Sequence, residues 1–154
     1  MALISAGILA WKREDGVLKM LLVHPGGPFF AKKDEGAWSI PKGICEAGED
    51  LLVAAKREYG EELGSAINGE FATLEPIRQK GGKVVYAWAV ETTMDITVSR
   101  SNTFSIEWPP KSGKMQEFPE VDKAEWFTVA EAKKKINAAQ SAFVAELEDK
   151  LAAK

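Results

Sequence analysis

The chain has 154 residues, of which 45% are apolar and 28% charged, and its formal net charge is −3. This length fits one domain with a sizeable core over residues 1–154, and the acidic balance disfavours a nucleic-acid polymer as partner, although not a small anionic ligand. No apolar run reaches the roughly 20 residues that a membrane span requires, so no membrane contact is expected.

The first forty residues alternate between apolar runs and turn signals, which is typical of strands. Ile4 to Trp11 and Val17 to His24 are apolar and predict a β-hairpin, with the first of these runs a strand and not a signal peptide. The Pro25-Gly26-Gly27-Pro28 segment breaks the pattern. After a mixed loop, Trp38 to Ile40 is predicted as a short strand that ends at Pro41.

The clearest helix is predicted from Glu49 to Leu63. Gly48 precedes it and Gly64 follows it, and a glycine at the end fits the left-handed residue with which many helices stop. Four side chains at helical spacing form an apolar stripe that is expected to face the core: Leu52, Ala55, Tyr59 and Leu63.

The second half of the chain continues the mixed pattern. Phe71 to Arg78 and Lys83 to Glu91 predict a second hairpin, whose second strand is apolar on both faces and therefore central. Thr92 to Gly113 is predicted as a long irregular loop, functional or mobile. A last strand and two helices are predicted at Ala124 to Thr128, Val129 to Ile136 and Ala142 to Leu151. The order indicates an α/β or α+β fold, with a mixed sheet and helices before and after its later strands.

Three glutamates on the predicted helix carry the chemical signal. Glu58, Glu61 and Glu62 have the spacing i, i+3, i+4, which places them on one face within reach of a common point. Neighbouring carboxylates repel each other unless a cation lies among them, and clusters with oxygen ligands alone suit Mg²⁺ or Mn²⁺. Arg57 could orient these carboxylates by a bidentate pair. On the helix alone, an ordinary solvated acidic face is the more frequent explanation.

The wider pattern decides between these explanations. The segment Gly43 to Ser65 reads GICEAGEDLLVAAKREYGEELGS and resembles the Nudix box: Gly, five residues, Glu, seven residues, Arg-Glu, an apolar and any residue, Glu-Glu, any residue, Gly and an apolar residue. Every glycine and charged position of that signature is present. Tyr59 is an unusual apolar choice at its position, and Ser65 departs from the final apolar position, but neither departure removes an expected ligand.

The resemblance implies a Nudix fold over nearly the whole chain, with a mixed sheet sandwiched between helices, and a divalent metal site. It implies that Glu58, Glu61 and Glu62 bind the metal, together with the backbone carbonyl of Gly43. It further implies that Arg57 orients these glutamates and that Glu49 supports the loop before the helix. The general base in this family comes from the box or from a late loop, where Glu117 and Glu120 are the candidates here, and Glu117 is slightly preferred.

The substrate is less defined than the reaction. Trp38 followed by Pro41-Lys42-Gly43 resembles Nudix members that act on nucleoside polyphosphates, including asymmetric dinucleoside tetraphosphate hydrolases. Lys42 is a candidate phosphate contact, or a surface lysine. Trp38 and Tyr86 are candidates to stack a base, or core residues. The expected activity is Mg²⁺-dependent hydrolysis of a phosphoanhydride bond in a nucleoside diphosphate linked to another moiety.

Within that activity, a (di)nucleoside polyphosphate such as diadenosine tetraphosphate is favoured over a nucleoside triphosphate, oxidised or not, and over a nucleotide sugar. A Nudix domain that only binds nucleotides is the alternative from another class, and the intact box acids disfavour it. A structural Ca²⁺ site is disfavoured because no EF-hand spacing is present. The single cysteine, Cys45, cannot form an internal disulfide, so a cytoplasmic protein is expected. The oligomeric state is not predicted.

Overall fold

A computed structural model of the chain describes residues 3–79, 81–92 and 103–152. Within these ranges the backbone forms nine strands, three α-helices and a short 3-10 helix at Ala138–Gln140. The strands are β1 (Ile4–Glu14), β2 (Val17–Pro25), β3 (Lys42–Ile44), β4 (Ala72–Thr73), β5 (Ile77–Arg78), β6 (Val84–Glu91), β7 (Thr103–Glu107), β8 (Met115–Pro119) and β9 (Val121–Thr128). The helices are α1 (Leu51–Leu63), α2 (Val129–Lys135) and α3 (Ser141–Ala152). In the described ranges no helix is long and apolar enough to cross a membrane.

Seven strands form one mixed sheet with the order β4-β6-β1-β2-β9, in which β3 also pairs with β1 and β5 with β6. The β1–β6 pair is parallel, and the other pairs are antiparallel. The edge of β1 that faces away from β6 is shared, because residues 11–14 pair with β2 and residues 5–7 pair with β3. The first hairpin and the central position of β6 are therefore confirmed.

Each face of the sheet is covered by helices, as expected for alternate burial along the strands. On one face Ala6 and Ile8 of β1 and Val90 of β6 pack with Ala55 and Tyr59 of α1. The opposite face carries a second apolar cluster in which Leu9, Val85, Ala87 and Ala89 join residues of α2 and α3, including Phe143, Val144 and Leu147. The predicted α/β (α+β) class, with a mixed sheet between helices, is confirmed.

Two predicted elements differ in their bounds. The long helix begins at Leu51, two residues later than predicted, because the Asp50 carboxylate accepts a hydrogen bond from the Val53 N–H and caps it. Trp38 to Ile40 is not a regular strand. Ser39 forms a single bridge with Val23, and the regular pairing comes at β3, after Pro41.

The prediction of an irregular loop from Thr92 to Gly113 is wrong for its second part. Strands β7 and β8 form a separate two-stranded hairpin, with Phe104 opposite Phe118 and Ile106 opposite Gln116. Phe104 and Ile106 alternate with exposed polar residues, which is a strand pattern too short to stand out in sequence. Residues 93–102 lie outside the described ranges.

Candidate functional site

The apolar stripe of helix α1 packs against the sheet and so fixes the position of the helix. Ala54, Ala55, Tyr59 and Leu63 are buried against the sheet, while Gly64 ends the helix at φ 77°. Glycine tolerates this left-handed conformation without the steric cost that a Cβ would add. The helix consequently presents its acidic side to β3 and to the segment between β8 and β9.

Arg57 holds together the loop before α1 and the carboxylates on it. Its Nε donates to Glu49 Oε2 at 2.8 Å and its Nη2 to Glu49 Oε1 at 3.0 Å, a bidentate pair between the helix and the loop before it. Its Nη1 donates to Glu58 Oε1 at 3.0 Å and lies 3.3 Å from both carboxylate oxygens of Glu61. The guanidinium holds the pKa of Glu49 at about 2. The expected orienting contacts of Arg57 are thus present.

Glu58 lies directly against the backbone of Gly43 in β3. A Cβ added to Gly43 would be 2.0 Å from Cδ of Glu58, so only glycine leaves room for the carboxylate there. Burial is the main cause that raises the pKa of Glu58, and repulsion from Glu61 adds to it. Gly43 and Glu58 therefore meet as the box resemblance implies.

Glu62 is the most deeply buried of the three helix glutamates. Its Oε2 is buried and has no hydrogen-bond partner among the residues that the structure describes. Burial, followed by repulsion from Glu58, raises the pKa of Glu62 to about 8. A buried, half-satisfied carboxylate beside another acid is a costly arrangement unless a cation neutralises it.

The carboxylates of Glu58, Glu61 and Glu62 do not converge on one point in this structure. In the described ranges, no three acidic, histidine or cysteine side chains are grouped closely enough to ligate one metal ion. Arg57 forms ion pairs with Glu61 and with one oxygen of Glu58, whereas Glu62 keeps an unpartnered Oε2. The donor set nevertheless fits a hard cation, because it offers carboxylate oxygens alone, one of them unpartnered, beside a glycine backbone.

Glu120 is a fourth acid at this site, and it lies between β8 and β9. Its charge interacts with those of Glu58, Glu61 and Glu62, and burial together with Glu61 raises the pKa of Glu120. Glu117, the other late-loop candidate, is exposed on β8 opposite Ser105 of β7. Glu120 is thus the late-loop acid that lies with the helix glutamates, whereas Glu117 belongs to the separate β7–β8 hairpin.

The three expected substrate contacts occupy different places. Tyr86 is half-buried and stands in register with Ala6, which is itself opposite Gly43, so these positions form one row on the α1 face of the sheet. Lys42 is half-buried, its pKa is lowered mainly by burial, and its charge interacts with Glu58 and Glu62. Trp38 is 3% exposed in the cluster on the opposite face, where its Nε1 donates to Asp34 at 2.8 Å. The structure therefore does not bring Trp38 together with the carboxylates.

Comparison with sequence families matches the NUDIX domain over residues 1–147. The chain belongs to this family. Among solved structures, the fold of this Nudix domain is similar to that of a C. elegans Ap4A hydrolase in a binary complex, with a TM-score of 0.69, 20% identity and coverage of 97% of this chain and 99% of that one. It is also similar to the NUDIX domain of Shewanella oneidensis NrtR complexed with ADP ribose, with a TM-score of 0.68, 16% identity and coverage of 98% and 89%.

Two curated relatives match parts of this Nudix domain. The mitochondrial ADP-ribose pyrophosphatase of Rattus norvegicus is 34% identical over 80 residues, which are 47% of this chain and 22% of the relative. Nudix hydrolase 7 of Arabidopsis thaliana is 26% identical over 115 residues, or 70% of this chain and 39% of the relative. The chain thus spans only about a fifth and two fifths of the length of these relatives.

Sequence reasoning about this Nudix domain missed how Glu120 is held. Its backbone carbonyl accepts from the Gly26 N–H at 2.9 Å, in a segment that the sequence marks only as a break between strands. No local pattern signals this contact, because it joins residues 94 positions apart.

A cavity of about 830 Å³ lies elsewhere and is lined by residues such as Trp11, Phe71 and Leu147, none of them a predicted site residue.

Proposed function

We propose that this Nudix domain hydrolyses a phosphoanhydride bond in a nucleoside diphosphate linked to another group, with Mg²⁺ or Mn²⁺ as cofactor. The observation that carries the proposal is the position of Glu62, whose buried Oε2 is unpartnered among the described residues. It lies beside Glu58, which is itself seated against Gly43. A hard cation relieves the cost of burying such carboxylates, and phosphate oxygens complete its preferred ligand set.

We assign a separate role to each group of residues at the site. Glu58, Glu61, Glu62 and the carbonyl of Gly43 would hold the cation. When bound, it neutralises phosphate charge and polarises the bond to be cleaved. Arg57, tied to Glu49, keeps the glutamates oriented. We assign the general base to Glu120, whose carboxylate accepts a proton from the attacking water, in preference to Glu117, because Glu120 lies with the helix glutamates, whereas Glu117 belongs to the separate β7–β8 hairpin.

For the substrate we favour a dinucleoside polyphosphate such as diadenosine tetraphosphate. The similarity in fold to an Ap4A hydrolase along nearly the full length of both chains supports this choice. Lys42 has its charge close to Glu58 and Glu62 and is proposed to contact a substrate phosphate. Tyr86, on the same sheet face as Gly43, is proposed to contact the base, whereas Trp38 belongs to the opposite core and supports the fold.

ADP-ribose is the second candidate substrate. Its support is the 34% identity over 80 residues to an ADP-ribose pyrophosphatase. Both candidates contain an adenosine diphosphate group, which is the part that the proposed site would recognise. Nucleoside triphosphates remain in the same reaction class, and a module that only binds nucleotides is disfavoured because no box acid is missing. The cytoplasmic location stays a prediction.

The test is a substrate panel with the purified protein and Mg²⁺. Diadenosine tetraphosphate, ADP-ribose and canonical and oxidised nucleoside triphosphates are incubated separately, and the products are resolved by ion-exchange chromatography. Conversion of diadenosine tetraphosphate to AMP and ATP, faster than any other turnover, supports the favoured substrate. A faster release of AMP from ADP-ribose moves the proposal to the second candidate. Failure to cleave any nucleotide, with metal bound, contradicts the enzymatic function.

A further inference from the structure

The segment that carries Glu120 lies tightly against the end of β2. A Cβ on Gly26 would be 2.0 Å from the carbonyl oxygen of Pro119, so the two backbones approach as closely as glycine allows. The Gly26 N–H donates to the Glu120 carbonyl at 2.9 Å. The register between β2 and β9 shifts at this point, where Pro25 comes opposite Val121. Gly26 therefore holds the backbone of Pro119 and Glu120.

A second contact holds the same segment on its C-terminal side. Nδ1 of His24 lies 2.8 Å from Oδ1 of Asp122, two residues after Glu120. Nε2 of the same ring lies 2.6 Å from the carbonyl oxygen of Lys33. The ring is 2% exposed and meets Trp38 edge to face at 5.1 Å between centroids. His24 thus connects the loop after β2, the core and the start of β9.

We propose that His24 is a positioning residue for Glu120. Through Asp122 it fixes the segment 120–122 against the end of β2, so that the Glu120 carboxylate stays beside Glu58, Glu61 and Glu62. His24 itself points to the opposite face of the sheet, where Leu22 of the same strand and Trp38 are buried. It acts on the proton-accepting group from a distance and contacts no proposed metal ligand. This inference rests on the proposed function of Glu120.

The contact between His24 and Asp122, which we call the tether, keeps Glu120 in place against a repulsive force. The Glu120 carboxylate lies near the like charges of Glu58, Glu61 and Glu62, and like charges in a partly buried site repel each other. Asp122 is 31% exposed, and His24 is the partner that holds it. Loss of that contact removes the side-chain link between Asp122 and β2, while Gly26 still contacts Pro119 and Glu120.

The test is a double-mutant cycle on the full chain with diadenosine tetraphosphate, or with the best substrate of the panel. His24→Phe keeps a ring against Trp38 but removes both polar contacts. Asp122→Ala removes the same tether at a part-exposed position, where misfolding is a smaller risk. Each change is expected to lower kcat by about tenfold with KM unchanged, because small displacements of a catalytic group are costly. In a Glu120→Gln background neither change is expected to lower kcat further.

Lys135→Gln is the matched control, since it removes an ion pair with Asp34 in the same loop without touching the tether. It is expected to leave kcat unchanged. If His24→Phe and Asp122→Ala lower kcat by the same factor with and without Glu120, the link to Glu120 is overturned. Unchanged kcat in both single variants overturns it as well.

A second measurement is independent of turnover and separates this inference from the proposed function. Hydrogen exchange at the Gly26 amide reports whether the 120–122 segment stays docked. Asp122→Ala is expected to accelerate this exchange by about tenfold while the Val23 amide, bonded to Ser39, is unaffected. Unchanged exchange at Gly26 contradicts the tether. If no nucleotide is cleaved but Gly26 responds, the tether stands and the assigned activity fails.

Discussion

At the scale of single residues, the ion pair between Arg57 and Glu49 is the most clearly defined interaction. The pKa of Glu49 is lowered from its ordinary value to about 2, chiefly by hydrogen bonds from Arg57. The ionised carboxylate therefore stabilises the folded state above pH 4.5, and this contribution is lost as pH falls from 4.5 towards 2.

Glu49→Gln tests this pH dependence. We expect the variant to have a lower Tm than the wild type at pH 7, with a difference that narrows steadily below pH 4.5. Thermal unfolding followed by circular dichroism between pH 3 and pH 7 measures it. Glu148→Gln, on an exposed ion pair with Lys133, is the control and should show little effect. A difference that is the same at every pH would contradict the assigned charge interaction.

Gly43 gives a second prediction, which separates activity from stability. In Gly43→Ala the new methyl group would lie 2.0 Å from Cδ of Glu58, the far end of a flexible side chain. Glu58 is expected to swing away at little cost to folding, so Tm should change little while kcat/KM falls by about 100-fold. Steady-state kinetics and calorimetry on the same preparation measure both quantities. Wild-type kinetics in this variant would remove Gly43 and Glu58 from the site.

The contacts among the box residues were predictable because one short segment contains them all. The positions of Glu49, Arg57, Glu58 and Gly43 followed from the spacing within the box. The choice between Glu117 and Glu120 did not follow, because the structure separates them through contacts of Gly26 and His24 with a distant part of the chain. The burial of Glu62 could not be predicted either, because residue spacing shows which side chains lie on the same helix face but not how deeply each is buried.

At the scale of elements, α1 contains a glycine that its packing does not require. Gly60 lies inside the helix, and a Cβ there would find its nearest atom, the Ser65 carbonyl oxygen, at 3.8 Å. Alanine is favoured over glycine in a helix interior by about 1 kcal/mol. The helix thus offers a stabilising position close to the site.

Gly60→Ala is expected to raise Tm by about 2–4 °C, given the size of the chain. Because the new methyl group meets none of the box acids, kcat should stay at the wild-type value. Differential scanning calorimetry gives the shift, and the same variant serves as the glycine-to-alanine control for Gly43→Ala. A lower Tm would show that the helix needs the flexibility of glycine at this position.

Elements with long apolar patterns were predicted well, and short ones were not. The first hairpin, α1, β6 and α3 each have many apolar positions at a regular spacing. The β7–β8 hairpin was missed because Phe104 and Ile106 are the inward apolar residues of a five-residue strand. A strand was predicted around Ser39, where the structure has only an isolated bridge to Val23. The prediction failed because Trp38 and Ile40 are apolar as core residues and not as part of a strand.

At the scale of the whole molecule, the sheet joins distant parts of the chain into one structure. The central strand β1 pairs with β2, β3 and β6, and β2 also pairs with β9. Local sequence patterns do not reveal this order, because pairing between remote strands is set by the complete core. The division of the core into an α1 face and an α2–α3 face was implied only through the family resemblance.

A divalent cation should stabilise the whole molecule if the box carboxylates bind it. We expect a single cooperative unfolding transition over the chain, as predicted for one domain, and a rise in Tm when Mg²⁺ is added. A ligand at 100 times its Kd stabilises the folded state by about 2.7 kcal/mol. Glu62→Gln should respond less to Mg²⁺, and Glu148→Gln should respond like the wild type. Equal responses in all three proteins would place the cation elsewhere.

The central claim is that carboxylates of α1, with a divalent cation, cleave a phosphoanhydride bond. The initial rate of nucleotide cleavage in the wild type and in Glu61→Gln, with Mg²⁺ and with excess chelator, tests it most directly. Glu61 is part-exposed, so its replacement should leave the circular dichroism spectrum and Tm nearly unchanged. We predict Mg²⁺-dependent cleavage in the wild type, none with chelator, and a loss of at least about 100-fold in Glu61→Gln. Wild-type turnover in folded Glu61→Gln, or cleavage that persists in chelator, would contradict the claim.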